Sequence, residues 1–248
     1  MDDSQKSKDQ LLAEVQALRE ALQRNNADLE QFAYVASHDL KAPLRGISNL
    51  AQWLEEDLTP QLGAESRRQF GLLRGRVRRL ETLLEGLLEY SRATRWRHAP
   101  EPVDVGALLQ ALMAQLTAGS PARLDLGPAM PILTTERLPL QQVLMNLLSN
   151  AAKHARRDDL RVRVEVVGVR GVPQFRVTDN GQGIASQHHE KIWSPFQTLV
   201  ARDQVEGAGM GLCVVKRIVE SRGGQVGVVS DLGHGATFHF TWPDARRE

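Results

Sequence analysis

A long repeat of apolar residues at steps of three and four, running from Leu11 to Leu58, constrains this chain more than any other feature. Its first members are Leu11, Val15, Leu18, Leu22, Leu29 and Phe32, with Asn25 at the missing seam position. Such a heptad pattern predicts a helix that pairs in parallel with a second copy, and a polar seam residue sets the register of such a pair. The alternative is a single amphipathic helix packed on its own domain.

The pattern then continues through the residues Ala33, Ala36, Leu40, Leu44, Ile47, Ala51, Leu54 and Leu58. Residues 57–66 contain Pro60 and Gly63 and are predicted to connect to a second helix. That helix has its apolar positions at Phe70, Leu73, Val77, Leu80, Leu84 and Leu87, and it extends to about Arg92. Two such hairpins, paired through their apolar faces, form a dimeric four-helix bundle.

Helical periodicity stops near Arg92, and the polar, proline-containing residues 93–102 are predicted to be a linker. Helices are predicted at about 105–116, 138–155 and 211–221, and strands at about 122–126, 160–169, 173–178, 225–230 and 236–241. The predicted fold class is therefore α plus α/β. A coiled-coil helix (1–30) precedes a helical hairpin (31–92), and a mixed sheet with helices over one face (103–248) follows the linker.

Bulk composition excludes several classes of protein. The formal net charge of +1 argues against a general nucleic-acid-binding role. Cys213 is the only cysteine, which excludes an internal disulfide, and its apolar neighbours predict a buried structural thiol. No segment has the roughly 18 to 20 apolar residues of a membrane span. We therefore predict a cytoplasmic chain with no membrane span.

His38 is two residues from Ala36 and from Leu40, about 200° around the helix from each, so it should point away from the apolar face. Neutral imidazole is a nucleophile near physiological pH, since its usual pKa is about 6.5. Asp39 follows directly and can orient the ring or accept its proton. A solvated surface histidine is the alternative interpretation.

The helix predicted at 138–155 presents Asn146 and Asn150 on one face, with Lys153 and His154 a turn further on. An amide oxygen can coordinate Mg²⁺, and a lysine can neutralise phosphate. An ordinary polar helix face is the alternative. After a predicted strand comes Asp179-Asn180-Gly181-Gln182-Gly183-Ile184, in which Asp179 can accept a hydrogen bond from an exocyclic amine. A simple turn would look the same.

A third segment, Gly207-Ala208-Gly209-Met210-Gly211-Leu212, leads into the last predicted helix. Glycine-rich residues at a helix start present backbone N–H groups to phosphates. The segment is not a Walker loop, because no Gly-Lys-Ser/Thr follows, and its setting does not fit a Rossmann unit. The three segments together predict a nucleotide pocket.

The residues Ser37-His38-Asp39-Leu40-Lys41-Ala42-Pro43-Leu44 closely resemble the phosphoacceptor box of sensor histidine kinases. The three later segments resemble, in order and spacing, the ATP-binding domain that these kinases share with type II topoisomerases, heat-shock chaperones and mismatch-repair ATPases. The resemblance implies that Asp39 assists His38. Ala42 stands where many members have a Thr or Asn that positions water for dephosphorylation, so only the forward reaction is implied.

The same resemblance assigns roles in the pocket. Asn150 is implied to hold Mg²⁺, and Asn146 is implied to line the same pocket. Lys153 is implied to contact phosphate, and His154 is implied to lie beside the adenine. Asp179 is implied to accept a hydrogen bond from the adenine amine, in a turn shaped by Gly181 and Gly183. Gly207, Gly209 and Gly211 are implied to surround the phosphates, with Met210 and Leu212 also nucleotide-binding. Residues 192–196 resemble the family's phenylalanine box, which contains Phe196, and residues 197–206 would be the lid. Trp193 and Phe196 can equally be core or lid anchors.

The implied function is a homodimeric sensor histidine kinase core that uses Mg·ATP to phosphorylate His38 and passes the phosphoryl group to an aspartate of a response-regulator receiver domain. The stimulus would come from a sensor domain or protein not contained in this chain. One alternative is an ATP hydrolase with the same pocket, although residues 141–146 lack a carboxylate to activate water. The other is a degenerate dimeric scaffold or phosphotransfer protein.

Overall fold

The computed structural model describes residues 3–58, 63–93, 98–116, 123–154, 159–169, 171–198 and 209–243. Its N-terminal part consists of two helices, α1 (Asp3–Leu58) and α2 (Ala64–Arg92). Helix α1 runs through Pro43 without ending there. Residues 59–62 of the predicted connection lie outside the described residues.

Helices α1 and α2 pack against each other as an antiparallel hairpin. Three contacts join them at successive levels: Arg74 Nη1 to Glu55 Oε2 at 3.2 Å, Lys41 Nζ to Glu85 Oε1 at 2.8 Å, and the Arg92 guanidinium over the Tyr34 ring at 5.1 Å. The residues Ala51 and Val77 are buried between the helices. The hairpin predicted from periodicity is thus confirmed.

Much of the predicted apolar seam is open to solvent in the single chain. Leu40, Ile47 and Leu54 on α1 are about half exposed, and so are Leu73 and Leu80 on α2. Single exposed leucines are common, but a regular heptad series of them marks a surface that packs against another helix. The hairpin alone therefore leaves one apolar face uncovered.

The C-terminal part is an α/β domain. Its elements in chain order are β1 (Glu101–Asp104), α3 (Val105–Leu116), β2 (Arg123–Leu126), β3 (Ile132–Thr135), α4 (Arg137–His154), β4 (Arg161–Val169), β5 (Val172–Asp179), α5 (Gly211–Glu220), β6 (Val226–Ser230) and β7 (Ala236–Thr241). Strands β2-β4-β5-β7-β6 form one sheet, in which only the β2–β4 pair is parallel. The predicted mixed sheet is confirmed, with element bounds within about two residues of those expected.

One face of this sheet is covered by α3, α4 and α5. Alternate residues of β7 are buried, as expected for a strand with one face on a core. Phe175 of β5 stacks on Phe240 of β7 with ring centroids 4.7 Å apart, and Trp242 meets Phe240 edge to face. The covered face positions the C-terminal end of β5 beside the helices α4 and α5.

Two short strands were not predicted. Strands β1 and β3 form a separate antiparallel pair, with Glu101 opposite Thr135. Strand β1 begins within the segment that the sequence predicts to be linker, and Ala93, at the other end of that segment, is 2% exposed within the core of the α/β domain. The end of α2 is therefore anchored in the domain that follows it.

Candidate functional site

A cavity of about 370 Å³ lies between α2 and the α/β domain. Helix α4 supplies the lining residues Asn146, Asn150, Lys153 and His154. The end of β5 and the turn after it supply Asp179, Gln182 and Gly183. The start of α5 supplies Gly209, Met210, Gly211 and Leu212. Three segments that are far apart in sequence thus meet at one site. Its size lies in the range of small-molecule sites.

The amide oxygens of Asn146 and Asn150 converge beside Gly211. A methyl group built on Gly211 would place its carbon 2.9 Å from Asn146 Oδ1 and 3.7 Å from Asn150 Oδ1. The Asn146 amide is held in this orientation because its Nδ2 donates to the backbone oxygen of Gln142 at 3.0 Å. Paired neutral oxygens with open space beside them fit a hard cation such as Mg²⁺, which also keeps several waters.

Lys153 and His154 lie on the last turn of α4, and both line the cavity. Burial raises the pKa of Glu89 on α2, and the positive charge of Lys153 opposes that rise. Because Lys153 also lines the cavity, its charge can attract an anionic ligand there.

Asp179 is the last residue of β5, and its carboxylate faces the cavity. Its Oδ1 accepts the backbone N–H of Gly181 at 2.8 Å and that of Ala236 at 3.3 Å. Burial raises the pKa of Asp179, and these two N–H groups partly oppose that shift. Because both contacts use Oδ1, the arrangement orients Oδ2 for a donor on a ligand.

The two glycines after Asp179 have different roles. Gly183 lines the cavity with φ +72°, and a side chain there would collide with the backbone oxygen of Asp231. The chain can make this turn only with glycine. Gly181 is buried and acts through its hydrogen bond to Asp179 rather than by lining the cavity.

The start of α5 borders the cavity, and no side chain caps its first N–H groups. Gly209, Met210, Gly211 and Leu212 are all lining residues. Gly207 lies outside the described residues, as do residues 199–206 of the predicted lid.

The predicted phenylalanine box is only partly at the cavity. Ile192 lines it, whereas Phe196 is half exposed, is not among the lining residues and has a positive φ of 62°. Trp193 packs edge to face on Phe238 with centroids 6.1 Å apart, so it serves the core.

His38 and Asp39 lie on α1, and none of the described α1 residues, Asp39 included, is among the residues that line the cavity. Asp39 is exposed, and so is Ala42 one turn later. The side chain of His38 lies outside the described residues, although its backbone is part of the continuous α1 helix.

Five of the lining residues that sequence reasoning missed come from α2. Arg79, Thr82, Glu85, Gly86 and Glu89 form one wall of the cavity. Gln142 Nε2 of α4 donates to Glu89 Oε2 at 3.3 Å. Locally these residues look like the polar face of any amphipathic helix, so no sequence signal distinguishes them.

Burial of the carboxylate raises the pKa of Glu89, even though part of its side chain is exposed. The negative charge of Glu85 raises this pKa further. Lys153 and Arg92 oppose the shift. The wall from α2 therefore brings negative charge close to the side of the cavity where Lys153 lies.

A second contact joins α2 to α5. The Arg217 guanidinium lies 4.3 Å from the centroid of the Tyr90 ring, and Met210 and Cys213 pack against Leu83 and Tyr90. Cys213 is buried, which confirms the predicted structural thiol, and burial raises its pKa to about 11. The thiol is thus protonated at neutral pH.

Comparison with known proteins agrees with this geometry. The family profile described as "Histidine kinase-, DNA gyrase B-, and HSP90-like ATPase" matches residues 135–246, and "His Kinase A (phospho-acceptor) domain" matches residues 28–95. Within the described ranges, no helix has the length and apolar character that crossing a bilayer requires.

Related proteins include the phytochrome-like protein Cph1 of Synechocystis sp., which is 34% identical over 235 residues, covering 93% of this chain and 31% of its own length. The sensor histidine kinase AruS of Pseudomonas aeruginosa is 34% identical over 224 residues, covering 85% of this chain and 22% of its own. This chain thus spans about a third or less of these relatives.

Among solved structures, that of full-length ShkA in complex with AMPPNP superposes with a TM-score of 0.64 at 29% identity, covering 87% of this chain and 46% of that one. The fold, the two family profiles and these relatives identify the chain as the catalytic core of a sensor histidine kinase.

Proposed function

We propose that this chain is an ATP-dependent protein-histidine kinase that phosphorylates His38 and then passes the phosphoryl group to an aspartate of a response-regulator receiver domain. The observation that carries the proposal is the shared cavity wall. Asn146, Asn150 and Asp179 of the α/β domain face Glu85 and Glu89 of the phosphoacceptor hairpin across one cavity. The α/β domain and the hairpin that carries His38 thus share one cavity.

The chain's own residues would perform the transfer mainly by positioning and charge neutralisation. Asp179 orients the adenine, and the α5 N-terminus with Lys153 holds the phosphates. Asn150, with Asn146 beside it, would hold Mg²⁺, which when bound neutralises phosphate charge. Asp39 is placed next to His38 in sequence to accept its proton or orient the ring.

We further propose that the working form is a homodimer. Leu40, Ile47 and Leu54 continue the N-terminal heptads and stay exposed in one chain. Covering such a seam by a second copy produces the four-helix bundle. This part of the proposal rests on apolar periodicity and is tested by sedimentation of the purified protein.

The direct test is incubation with γ-labelled ATP and Mg²⁺. Wild type should acquire acid-labile, alkali-stable label, and His38→Gln and Asn150→Ala should not. His98→Gln is a matched control, because His98 is exposed and its hydrogen bond to Glu136 uses the backbone. Label that persists in His38→Gln would refute the acceptor.

A second candidate function is ATP hydrolysis without a phosphoacceptor. The structure offers carboxylates for it at Glu85 and Glu89, supplied by α2 rather than by α4. The two functions separate in the His38→Gln variant. A kinase loses its protein label and releases little phosphate, whereas a hydrolase releases phosphate at the wild-type rate.

A further inference from the structure

The turn after strand β5 packs backbone to backbone against the turn that joins β6 to β7. A side chain on Gly183 of the first turn would collide with the backbone oxygen of Asp231 in the second. A side chain on Gly235 of the second turn would collide with the backbone oxygen of Asp179. Both glycines have a positive φ, a conformation that glycine adopts without steric penalty. The two turns are therefore interlocked.

The hydroxyl group of Ser230 joins these two turns from inside the protein. Ser230 is the last residue of β6 and is only 7% exposed. Its Oγ accepts the backbone N–H of Ile184 at 2.8 Å and donates to the backbone oxygen of Gly235 at 2.6 Å. Ile184 follows the first turn, and Gly235 ends the second. A single hydroxyl thus bonds a donor from one turn and an acceptor from the other.

The bond to Gly235 also fixes a group that contacts Asp179. Asp179, Ala236 and Ser230 are successive partners in one row across β5, β7 and β6. The carbonyl of Gly235 and the N–H of Ala236 belong to the same planar peptide group. Because Ser230 holds the oxygen of that group, it also fixes the direction of the N–H, which donates to Asp179 Oδ1 at 3.3 Å.

The carboxylate of Asp179 is held by two backbone donors, both on Oδ1. The N–H of Gly181, at 2.8 Å, comes from the turn after β5, and the N–H of Ala236 comes from the opposite turn. Rotation of the carboxylate would break at least one of these bonds. Asp179 and Ala236 are among the described residues that line the cavity, whereas Ser230 is not one of them. Ser230 can therefore affect a ligand only through its neighbours.

From this arrangement we propose that Ser230 is a positioning residue of the nucleotide site. Through the peptide group between Gly235 and Ala236, it fixes the orientation of the Asp179 carboxylate and thereby the preference for adenine over guanine. Adenine presents an amine to this carboxylate, whereas guanine presents a carbonyl oxygen at the same ring position. This inference rests on the proposed function, in which Asp179 accepts a hydrogen bond from the adenine amine.

The test is competition binding of non-hydrolysable ATP and GTP analogues to the full chain with Mg²⁺. Ser230→Ala should raise the dissociation constant for the ATP analogue by about 3- to 10-fold and that for the GTP analogue by less than about twofold. Ser230→Thr keeps the hydroxyl and should retain the wild-type preference. Ser221→Ala is the matched control, because the Ser221 hydroxyl donates to Ile218 away from the cavity lining, and it should change neither affinity.

A double-mutant cycle with Asp179→Asn separates positioning from a purely structural role. If Ser230 acts through Asp179, Ser230→Ala should change the affinity for the ATP analogue by less than about twofold in the Asp179→Asn background. Should Ser230→Ala not fold, Ser230→Cys takes its place, because it keeps the size of the side chain but is a weak hydrogen-bond donor.

Two outcomes would overturn the positioning role. One is equal weakening of both analogues by Ser230→Ala, and the other is an equal loss of ATP affinity in both backgrounds. Loss of the preference in Ser230→Thr would show that the hydroxyl is not its cause. A wild-type chain with no preference for the ATP analogue would instead refute the role proposed for Asp179, so the two failures are distinguishable.

Discussion

The substitution Gly211→Ala should selectively weaken binding of magnesium-complexed nucleotide. The new methyl carbon would lie 2.9 Å from Asn146 Oδ1, closer than side-chain carbons normally approach an oxygen, and 3.7 Å from Asn150 Oδ1. The Asn146 amide must rotate to relieve the contact, which breaks its hydrogen bond to Gln142. The two amide oxygens then no longer converge.

The size of the effect follows from these two changes. A hydrogen bond lost in a partly buried site, or a polar group left without its ligand, costs about 1–3 kcal/mol. That corresponds to a dissociation constant raised by about 5- to 150-fold. Folding should be little affected, since alanine is the better helix former and Gly211 begins α5.

The assay is calorimetric titration of the protein with a non-hydrolysable ATP analogue, with Mg²⁺ and with EDTA. Wild type should bind more tightly with Mg²⁺, and Gly211→Ala should lose most of that difference. Gly168→Ala is the matched control, because a methyl group there meets no atom within 4 Å. Equal weakening with and without Mg²⁺ would refute the idea that the converging oxygens hold the cation.

Three further substitutions test other parts of the structure. Asp179→Asn should weaken ATP binding by about 10- to 100-fold, because it removes the hydrogen-bond acceptor proposed for the adenine amine. Binding of GTP should change much less. Competition between the two nucleotides measures the difference. Glu89→Gln should tighten nucleotide binding by about two- to fivefold at pH 8, since it removes negative charge near Lys153. The gain should shrink toward pH 5, because the raised pKa of Glu89 means that its carboxylate is already partly protonated there. Glu136→Ala should lower the free energy of unfolding by about 2 kcal/mol in urea titrations, because Glu136 is only 17% exposed and pairs with Arg222.

Each of these has a control on the same type of residue. Asp231→Asn should leave the preference for ATP over GTP unchanged. Glu81→Gln on α2 lies outside the cavity wall and should not tighten binding, and Glu165→Gln, in an exposed pair, should cost little stability. A pH-independent effect of Glu89→Gln, or a Glu136→Ala variant as stable as Glu165→Gln, would contradict the respective argument.

Most of the architecture could be predicted because the patterns that specify it are local. Helices α3, α4 and α5 and the strands of the larger sheet lie within about two residues of their predicted bounds. Strands β1 and β3 could not be predicted, since each has four residues, too few to show a period, and their partners are about thirty residues apart. Phe196 was placed in the pocket by resemblance, but it lies outside the lining.

The sequence by itself determined the helical hairpin, the mixed sheet, and the three segments that meet around the cavity. Apolar periodicity and glycine-rich turns are properties of neighbouring residues, and they act before any tertiary contact forms. The segments' chemistry also depends on side-chain type, so Asn146, Asn150, Asp179 and Gly211 could be singled out without coordinates.

Only the tertiary structure decided that α2 supplies the fourth wall of the cavity. Glu89 meets Gln142 across 53 residues of sequence, and Arg217 reaches Tyr90 across a still longer separation. Such contacts depend on how the hairpin docks on the α/β domain, and a surface glutamate carries no local mark of that docking. The contribution of α2 to the cavity is therefore decided by packing, and by no motif.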